Sequence, residues 1–238
     1  GCYAQLDPDA IAAIDGVNLV IGTNNRSKIV ELVEQLESTE RQINAVRDIM
    51  KESNFEEMPL FGNESDKARA FMKIQEGCNN YCSFCIIPYT RGKLKSRKIE
   101  DIVEEAKRLV DHGFHEIVLT GIHLGNYGVE LPGRPTLADV VKALLEIPEL
   151  YRIRFGSIES VEVSDELVEL MATDKRVCPN LHLPLQAGSD HVLQLMRRHY
   201  TLQEYKDLIA KLRSRIKDLS ITTDIIAGFP QETDEDFE

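Results

Sequence analysis

From residue 70 onward, short apolar segments alternate with segments of helical periodicity, and this alternation constrains the fold more than any other feature of the chain. Such alternation predicts parallel strands joined by crossover helices. The predicted strands cover residues 71–75, 116–120, 152–157, 180–183 and 221–226, and the predicted helices cover residues 99–112, 136–147, 165–172, 190–197 and 202–216. We therefore predict an α/β fold, a partial (β/α)6 barrel whose sixth unit begins near Thr233, with functional groups at the C-terminal ends of the strands.

The segment before residue 68 is predicted to be a separate unit. Asp7 and Pro8 open a short helix, and residues 17–23 read as a compact apolar strand. A second helix has the spacing of one buried face, formed by Ile29, Leu32, Val33 and Leu36. Because residues 38–67 lose this periodicity, we predict the end of an α/β domain over 1–37, a linker over 38–67 and the barrel domain over 68–238.

Composition limits the partners of the chain. A net charge of −12 opposes sequence-independent binding of nucleic acid, which requires many Lys and Arg side chains. One basic run is the local candidate for RNA phosphate contact, with a solvated loop as the alternative; it comprises Arg91, Lys93, Lys95, Arg97 and Lys98.

Nothing in the sequence points to a membrane. No stretch approaches the roughly 18 apolar residues of a membrane helix, and no signal peptide precedes the first helix. These features predict a cytoplasmic protein without a membrane partner. The chain starts without Met and stops where a helix begins, so we interpret it as a fragment.

Three cysteines follow the first barrel strand directly: Cys78, Cys82 and Cys85. Soft thiolates suit iron–sulfur clusters, and three ligands leave one iron of a 4Fe-4S cluster open. The alternative is a structural zinc site in a non-catalytic RNA-binding module, but such a site needs four protein ligands, and the sequence has no second Cys or His pair at zinc-finger spacing. Cys178 is expected to be a packed thiol, and the scattered histidines are assigned no role.

The residues around these cysteines resemble the radical S-adenosylmethionine (SAM) superfamily and, within it, the methylthiotransferases. The segments that carry this resemblance are residues 75–82, 86–92, 183–189 and 196–198. Residues 1–5 resemble the last cysteine motif of the N-terminal domain in that family. Residues 119–123 and 155–159 look most like the MtaB type, which modifies threonylcarbamoyladenosine in tRNA. Relatives that act on isopentenyladenosine or on a ribosomal protein share the core motifs.

The resemblance implies a catalytic 4Fe-4S cluster on Cys78, Cys82 and Cys85 that reduces SAM. It also implies transfer of a methylthio group to carbon 2 of N6-threonylcarbamoyladenosine beside the tRNA anticodon. A second, auxiliary 4Fe-4S cluster would use Cys2, whose two expected partner cysteines do not precede it in this sequence. The implied partners are tRNA, with weak or absent binding, and an electron donor such as flavodoxin or ferredoxin.

Seven residues match family positions that face SAM: Phe84, Thr120, Gly121, Glu159, Gln186, Arg197 and Asp224. By this resemblance Arg197 would bind the SAM carboxylate, for which a guanidinium is suited. Each residue also has a structural alternative, as a strand-end carboxylate, a solvated charge or a turn residue. Gln231 stands where the family usually has Gly.

Overall fold

The computed structural model describes residues 1–39, 41–58 and 68–238. In the first part of the chain, two short helices are followed by a longer helix that lies between two short strands. These elements are α1 (Cys2–Leu6), α2 (Pro8–Ala12), β1 (Leu19–Val20), α3 (Ile29–Thr39) and β2 (Ile43–Asn44). The side chain of Asp7 accepts a hydrogen bond from the Ala10 amide at the start of α2, so the predicted helix start is confirmed.

From residue 69 the chain alternates strand and helix as predicted. In order, the elements are β3 (Arg69–Lys73), β4 (Gln75–Glu76), α4 (Ile87–Arg91), β5 (Lys95–Ser96), α5 (Ile99–Asp111), β6 (Glu116–Thr120), α6 (Leu137–Leu145), β7 (Arg152–Phe155), α7 (Asp165–Thr173), β8 (Asn180–His182), α8 (Asp190–Leu195), α9 (Leu202–Arg215), β9 (Ser220–Thr222) and α10 (Asp234–Phe237). The capping boxes predicted at Thr136 and Thr201 are both present, with Asp139 and Glu204 as their acidic partners.

The parallel strands follow one another in space in the order β3, β6, β7, β8 and β9. Strands β3, β6 and β7 form one sheet, and β8 pairs with β9. Parallel bridges from Ile153 to Val177 and from Ser157 to His182 join β7 to the β8 region. All five C-terminal strand ends therefore lie at the same edge, which confirms the predicted partial barrel and places the site there.

One hairpin was not predicted. Strand β3 ends at Lys73, and Gln75 instead begins β4, which pairs with β5 in antiparallel register. The paired residues are Gln75 with Ser96 and Glu76 with Lys95. The hairpin holds both ends of the cysteine-containing loop, since β4 precedes that loop and β5 follows α4.

The core lies between the sheet and the helices that cover it. Strand residues such as Met72, Leu119 and Ile153 are fully buried, as are Ile102 of α5 and Val140 of α6. Burial of each large aliphatic side chain contributes about 1.5–3 kcal/mol. The barrel strands are therefore held by nonlocal packing, and their C-terminal ends form a stable platform for loops.

The first part of the chain departs from prediction in two places. Ile29 and Val33 of α3 are 51% and 40% exposed, so the predicted buried face is wrong: among the described residues α3 contacts mainly β1 and the turn before it. Within the predicted linker, β2 pairs with β1 in parallel, Leu19 opposite Ile43. Residues 59–67 of that linker lie outside the described residues, and the domain boundaries stay a prediction.

None of the helices in the described ranges is long and apolar enough to cross a membrane.

Candidate functional site

The cysteine loop, residues 78–85, leaves β4 at the edge where the parallel strands end. Gly77 precedes the loop and has a φ of 76°. A Cβ at this position would collide with the Lys93 carbonyl oxygen, so only glycine fits. The Cys78 amide donates to the Gly92 carbonyl at 3.1 Å. At the far side, the Ser83 hydroxyl donates to the Leu195 carbonyl at 2.8 Å, which ties the loop to the end of α8.

The three thiols of this loop are free, half-buried and surrounded by hydrogen-bond donors. The Asn80 amide donates to Cys78 Sγ at 3.4 Å, and Arg198 Nη1 donates to Cys82 Sγ at 3.4 Å. Burial raises the pKa of the Cys85 thiol; the Ile87 amide opposes this shift, and the negative charges of Cys82 and Cys78 reinforce it. The sulfurs are thus close enough to repel one another as thiolates, which suits a shared cationic ligand.

The arrangement fits a cluster better than a single ion. Within residues 1–39, 41–58 and 68–238, no group of three or more His, Cys, Asp or Glu side chains converges as ligands of one metal ion. A structural zinc ion requires such convergence at about 2.0–2.3 Å from each ligand atom. In a 4Fe-4S cluster each cysteine binds a different iron, so the thiols need not converge on one point.

His123 lies beside the cysteine loop, although its spacing in the sequence pointed to no role. It is 3% exposed, and its Nδ1 lies 3.5 Å from Cys78 Sγ while Nε2 pairs with Glu162 Oε1. Burial alone would lower the pKa of His123, but the hydrogen bonds with Cys78 and Glu162 outweigh it and raise the pKa from 6.5 to about 10. The assignment of no role to the histidines is therefore wrong for this residue, and its position just after β6 was the available signal.

A second basic side chain, that of Arg198 in the turn after α8, also contacts the cysteine loop. The Arg198 side chain is 4% exposed and forms an ion pair with Glu159 while donating to Cys82. Burial opposes charge on the guanidinium, but Glu159 outweighs it and raises the Arg198 pKa further above its ordinary value. Sequence comparison singled out the neighbouring Arg197, whereas the structure places Arg198 against the thiol. Both arginines line the same cavity, and Arg197 adopts a left-handed backbone conformation with φ 58°.

A cavity of about 270 Å³ opens between the cysteine loop and the turn that follows β7. Most of the residues that line it have polar or charged side chains, among them Asn80, Asn126, Glu159, Glu162, Arg197 and His199, with Val161 as an aliphatic member. Arg197 is exposed at this cavity and forms no ion pair within the described part of the chain. The cavity can therefore accept a polar ligand next to Cys82.

The other residues predicted to face SAM are distributed around the strand ends. The Phe84 ring is 40% exposed and meets Phe229 edge to face, with ring centroids 6.4 Å apart. The Thr120 hydroxyl donates to the Met72 carbonyl at 3.2 Å, so this side chain supports the pairing of β6 with β3. A Cβ on Gly121 would lie 2.9 Å from Gln75 Cβ, which explains why glycine is needed there.

Gln186 and Asp224 come together on the opposite side, between β8 and β9. The Gln186 amide donates to the Asp224 carbonyl at 2.9 Å, and the Asp224 carboxylate lies 3.2 Å from His182 Nε2. The structure thus groups the predicted residues into two sets. Glu159 and Arg197 share the polar cavity with Cys82, whereas Gln186 and Asp224 form a separate pair that faces solvent.

Cys2, on α1, is linked to the start of the cysteine loop through the charged side chains of Arg91 and Glu76. Arg91 Nε donates to Cys2 Sγ at 3.3 Å, and Arg91 Nη1 pairs at 2.7 Å with Glu76, which ends β4. Glu76 is 4% exposed and also accepts from Lys73 and Arg26. This buried carboxylate therefore joins the first part of the chain to the start of the cysteine loop.

The basic run behaves differently from the prediction of phosphate contact. Lys95 and Arg97 are buried, because Lys95 lies in the β4–β5 hairpin and Arg97 pairs with Glu57 and Glu105. Arg91 is committed to Glu76 and Cys2. The prediction is therefore wrong for these three residues: Arg91 and Arg97 are paired with carboxylates, and Lys95 is buried. Lys93 and Lys98 are the exposed members of the run.

A parallel α/β barrel with three free, donor-surrounded thiols on the loop after its first strand defines an enzyme class that holds an iron–sulfur cluster at the barrel edge. The model of the radical SAM superfamily matches residues 72–238, and the chain belongs to this superfamily. Enzymes of the superfamily use a 4Fe-4S cluster and SAM.

Two groups of curated relatives match the whole chain. It is 43% identical over 239 residues to the threonylcarbamoyladenosine tRNA methylthiotransferase MtaB of Bacillus subtilis (strain 168), of which it covers 52%. It is also 43% identical over 242 residues to the tRNA-2-methylthio-N(6)-dimethylallyladenosine synthase of Thermoanaerobacter sp. (strain X514), of which it covers 50%. The chain thus spans about half the length of these relatives, and identity alone does not separate the two groups.

Solved structures support the fold. The radical SAM methyltransferase TsrM of Kitasatospora setae, solved with tryptophan and a SAM analogue, superposes with a TM-score of 0.56 at 16% identity. The match covers 71% of this chain and 32% of TsrM. At this identity the likeness extends to the barrel architecture alone.

Proposed function

We propose that this chain is the catalytic part of a radical SAM methylthiotransferase that modifies carbon 2 of N6-threonylcarbamoyladenosine beside the tRNA anticodon. The observation that carries the proposal is the polar cavity next to the three-thiol loop. The MtaB relative, whose name states this nucleoside, supports the choice of substrate.

Cys78, Cys82 and Cys85 would hold the catalytic cluster, and the donors around them suit thiolate ligands. When bound, the cluster supplies the electron that cleaves SAM. The residues of the chain would hold the cluster and orient SAM. Ser83 fixes the cysteine loop on α8, and the exposed ring of Phe84 is available to stack on an adenine. Glu159 and Arg197 bring opposite charges to one cavity, which suits a zwitterionic amino acid such as the methionine part of SAM.

Beside Glu159 and Arg197, the same cavity is lined by Asn80, Asn126 and His199, and these polar side chains favour threonylcarbamoyl over dimethylallyl. A threonylcarbamoyl group carries a carboxylate, a hydroxyl and urea N–H groups that can pair with the cavity wall. A dimethylallyl group would instead desolvate polar side chains without replacing their hydrogen bonds, at a cost of about 1–3 kcal/mol for each unpaired group. The relative that acts on dimethylallyladenosine keeps that nucleoside as the second candidate.

The remaining partners of the reaction are part of the same proposal. Cys2, held by Arg91, would be one ligand of an auxiliary 4Fe-4S cluster. An electron donor such as flavodoxin or ferredoxin would reduce the catalytic cluster, and the exposed Lys93 and Lys98 are the available basic residues near the loop for tRNA phosphate.

The first experiment is anaerobic reconstitution with iron and sulfide, followed by electron paramagnetic resonance of the reduced protein with and without SAM. We expect a reduced-cluster signal that SAM perturbs and that disappears in Cys82→Ala. Cys178→Ala is the matched control, since that thiol is buried away from the loop and should leave the signal unchanged. A folded chain that assembles no cluster would contradict the proposal.

The second experiment tests the substrate. Anticodon stem-loops that carry either modified adenosine, deuterated at carbon 2, are incubated with reduced protein and SAM, and deuterium in the released 5′-deoxyadenosine is measured by mass spectrometry. We expect label from threonylcarbamoyladenosine and little from dimethylallyladenosine. The reverse preference would transfer the assignment to the second candidate. This measurement follows hydrogen abstraction alone and does not need the auxiliary cluster.

A further inference from the structure

Two of the three thiols in the cysteine loop contact a cation, and each cation is paired with a carboxylate. His123 lies between Cys78 and Glu162, and Arg198 lies between Cys82 and Glu159. Both carboxylates belong to one short turn: Glu159 precedes the 3-10 helix Ser160–Glu162, and Glu162 ends it. One segment after β7 thus fixes the donors of two different sulfurs.

The packing around this turn leaves little freedom. A Cβ on Gly125 would collide with Glu162 Cβ and lie 2.5 Å from Glu162 Oε2, so glycine at 125 permits the carboxylate to reach His123. Asn126 Nδ2 also donates to Glu162 Oε1 at 2.7 Å. On the other side, the Tyr200 hydroxyl lies 3.3 Å from Arg198 Nε. Glu162 and Arg198 therefore each have at least one further contact that limits their orientation.

Hydrogen bonds to cysteine sulfur, together with burial, set the reduction potential of an iron–sulfur cluster. A ligand thiolate only accepts hydrogen bonds, and a carboxylate such as Glu162 also accepts. The His123 Nδ1 next to the Cys78 thiolate is therefore a donor, whereas Nε2 faces Glu162 Oε1 and the side-chain amides of Asn80 and Asn126. Arg198 donates to Cys82 from its guanidinium. Residues in the second shell of a metal site orient and tune the ligands in this manner.

We propose that the pairs Glu162–His123 and Glu159–Arg198 are positioning residues that donate hydrogen bonds to Cys78 and Cys82 and thereby raise the reduction potential of the catalytic cluster. The inference rests on the proposed function, because it requires the cluster to be bound by these cysteines. The stabilisation is electrostatic: reduction adds negative charge to the cluster, and a hydrogen-bond donor whose positive end points at a ligand sulfur favours the reduced state.

The test uses two variants of His123 that distinguish the hydrogen bond of Nδ1 from that of Nε2. In His123→Asn, the amide group replaces Nδ1 and keeps a donor toward Cys78. In His123→Gln, the amide group replaces Nε2, keeps the contact with Glu162 and loses the donor to Cys78. His115→Gln is the matched control, because His115 precedes the N-terminal end of the same strand β6 and stacks on Tyr151.

The midpoint potential is measured by a redox titration followed by electron paramagnetic resonance, with iron and sulfide content determined for each variant. For His123→Gln we expect the ratio of reduced to oxidised cluster at a fixed potential to fall about tenfold, a shift of ~59 mV for a one-electron couple. His123→Asn should keep a potential nearer to that of the unsubstituted chain. The double variant Arg198→Gln with Glu159→Gln removes the second pair without leaving a buried charge and should shift the potential in the same direction.

The possible outcomes separate this inference from the proposed function. If the unsubstituted chain assembles no cluster, the proposed function is overturned. If it does, and both pair variants keep its midpoint potential to within the shift of His115→Gln, the inference is overturned and the proposed function stands. If His123→Gln loses iron while His123→Asn keeps it, the donor to Cys78 is required to hold the cluster, which supports the positioning role. Loss of iron from both folded variants would contradict a hydrogen-bond role.

Discussion

The two sides of the barrel edge differ in how their polar groups are partnered. On the β6–β7 side, His123 and Arg198 are almost fully buried, and each is paired with a glutamate of the same turn. On the β8–β9 side, the His182 side chain is 30% exposed and its partner Asp224 is 68% exposed. The first side is a preorganised support for the cysteine loop and lines the cavity next to Cys82, while the second side is open to solvent.

This difference follows from burial. In a low-dielectric environment an unpaired charge is costly, so the charges on the β6–β7 side must be matched within the protein. Exposed charges on the β8–β9 side are hydrated and need no partner, so their pairing contributes little to stability. Substitutions on the two sides should therefore have different consequences: the first side should lose stability, and the second should lose ligand affinity.

The largest loss of stability is expected at Glu76 of the β4–β5 hairpin, which is as buried as the β6–β7 pairs. Glu76→Gln removes the carboxylate that Lys73 and Arg91 pair with, whereas Arg26 keeps its pair with Glu56. We expect a loss of about 2–3 kcal/mol, below the 3–5 kcal/mol of a fully buried pair because the three cations are partly exposed. Chemical denaturation of the apoprotein measures this change. Asp165→Asn, which breaks an exposed pair with Lys211, is the control and should leave stability nearly unchanged.

Gly125→Ala should have the next largest effect. The added Cβ collides with Glu162, which must move away from His123. Overpacking of this kind costs about 1–3 kcal/mol. Thermal unfolding monitors the loss, and Gly188→Ala, where a Cβ would meet nothing within 4 Å, serves as the control. Equal stability of the two variants would contradict the tight packing of the turn after β7.

Asp224→Asn tests the open side. Because the Asp224 carboxylate is mostly exposed, we expect a stability change within about 0.5 kcal/mol. If Asp224 contacts SAM as the family resemblance implies, the loss of one charged hydrogen bond, about 1.5 kcal/mol, should weaken SAM binding about tenfold. Equilibrium binding of SAM to the reconstituted protein measures this. A stability loss as large as that of Glu76→Gln would remove the distinction between the two sides.

The smallest effect is expected at Gln231, in the loop after β9. Gln231 adopts φ 73°, a left-handed conformation that favours glycine, and this is the position where the resemblance expects glycine. Gln231→Gly should raise the free energy of unfolding by about 0.5–1 kcal/mol, because the relief of about 1–2 kcal/mol of backbone strain is partly offset by the entropy of glycine. Denaturant unfolding monitors the gain, and a destabilised variant would contradict it.

The order of the barrel elements was largely predictable from sequence. Alternation of strand and helix periodicity identified the five parallel strands, and the Ser/Thr-x-x-acid pattern identified the starts of α6 and α9. The family of the chain was also recognisable from the motifs around Cys78, Cys82 and Cys85. Periodicity and capping depend on residues within a few positions of one another, and therefore they can be read locally.

The environment of the thiols was not predictable in this way. His123 meets Cys78 across 45 positions, and Arg198 meets Cys82 across 116 positions. Neither distance is encoded in local spacing, so His123 was given no role and Arg197 was favoured over Arg198. For the same reason, the sequence predicted that Lys95 and Arg97 face solvent and contact RNA. Their burial depends on the β4–β5 hairpin and on Glu57 and Glu105, which local spacing does not reveal.

The amino-acid sequence by itself determined the parallel α/β plan, the loop that carries the three cysteines and the superfamily to which the chain belongs. Only the tertiary structure decided which cations face the thiols, which basic residues are neutralised inside the protein and which side of the barrel edge stays open. The physical reason is that local periodicity determines secondary structure, whereas charge pairing and burial arise when strand ends that are distant in sequence are brought to one edge of the sheet.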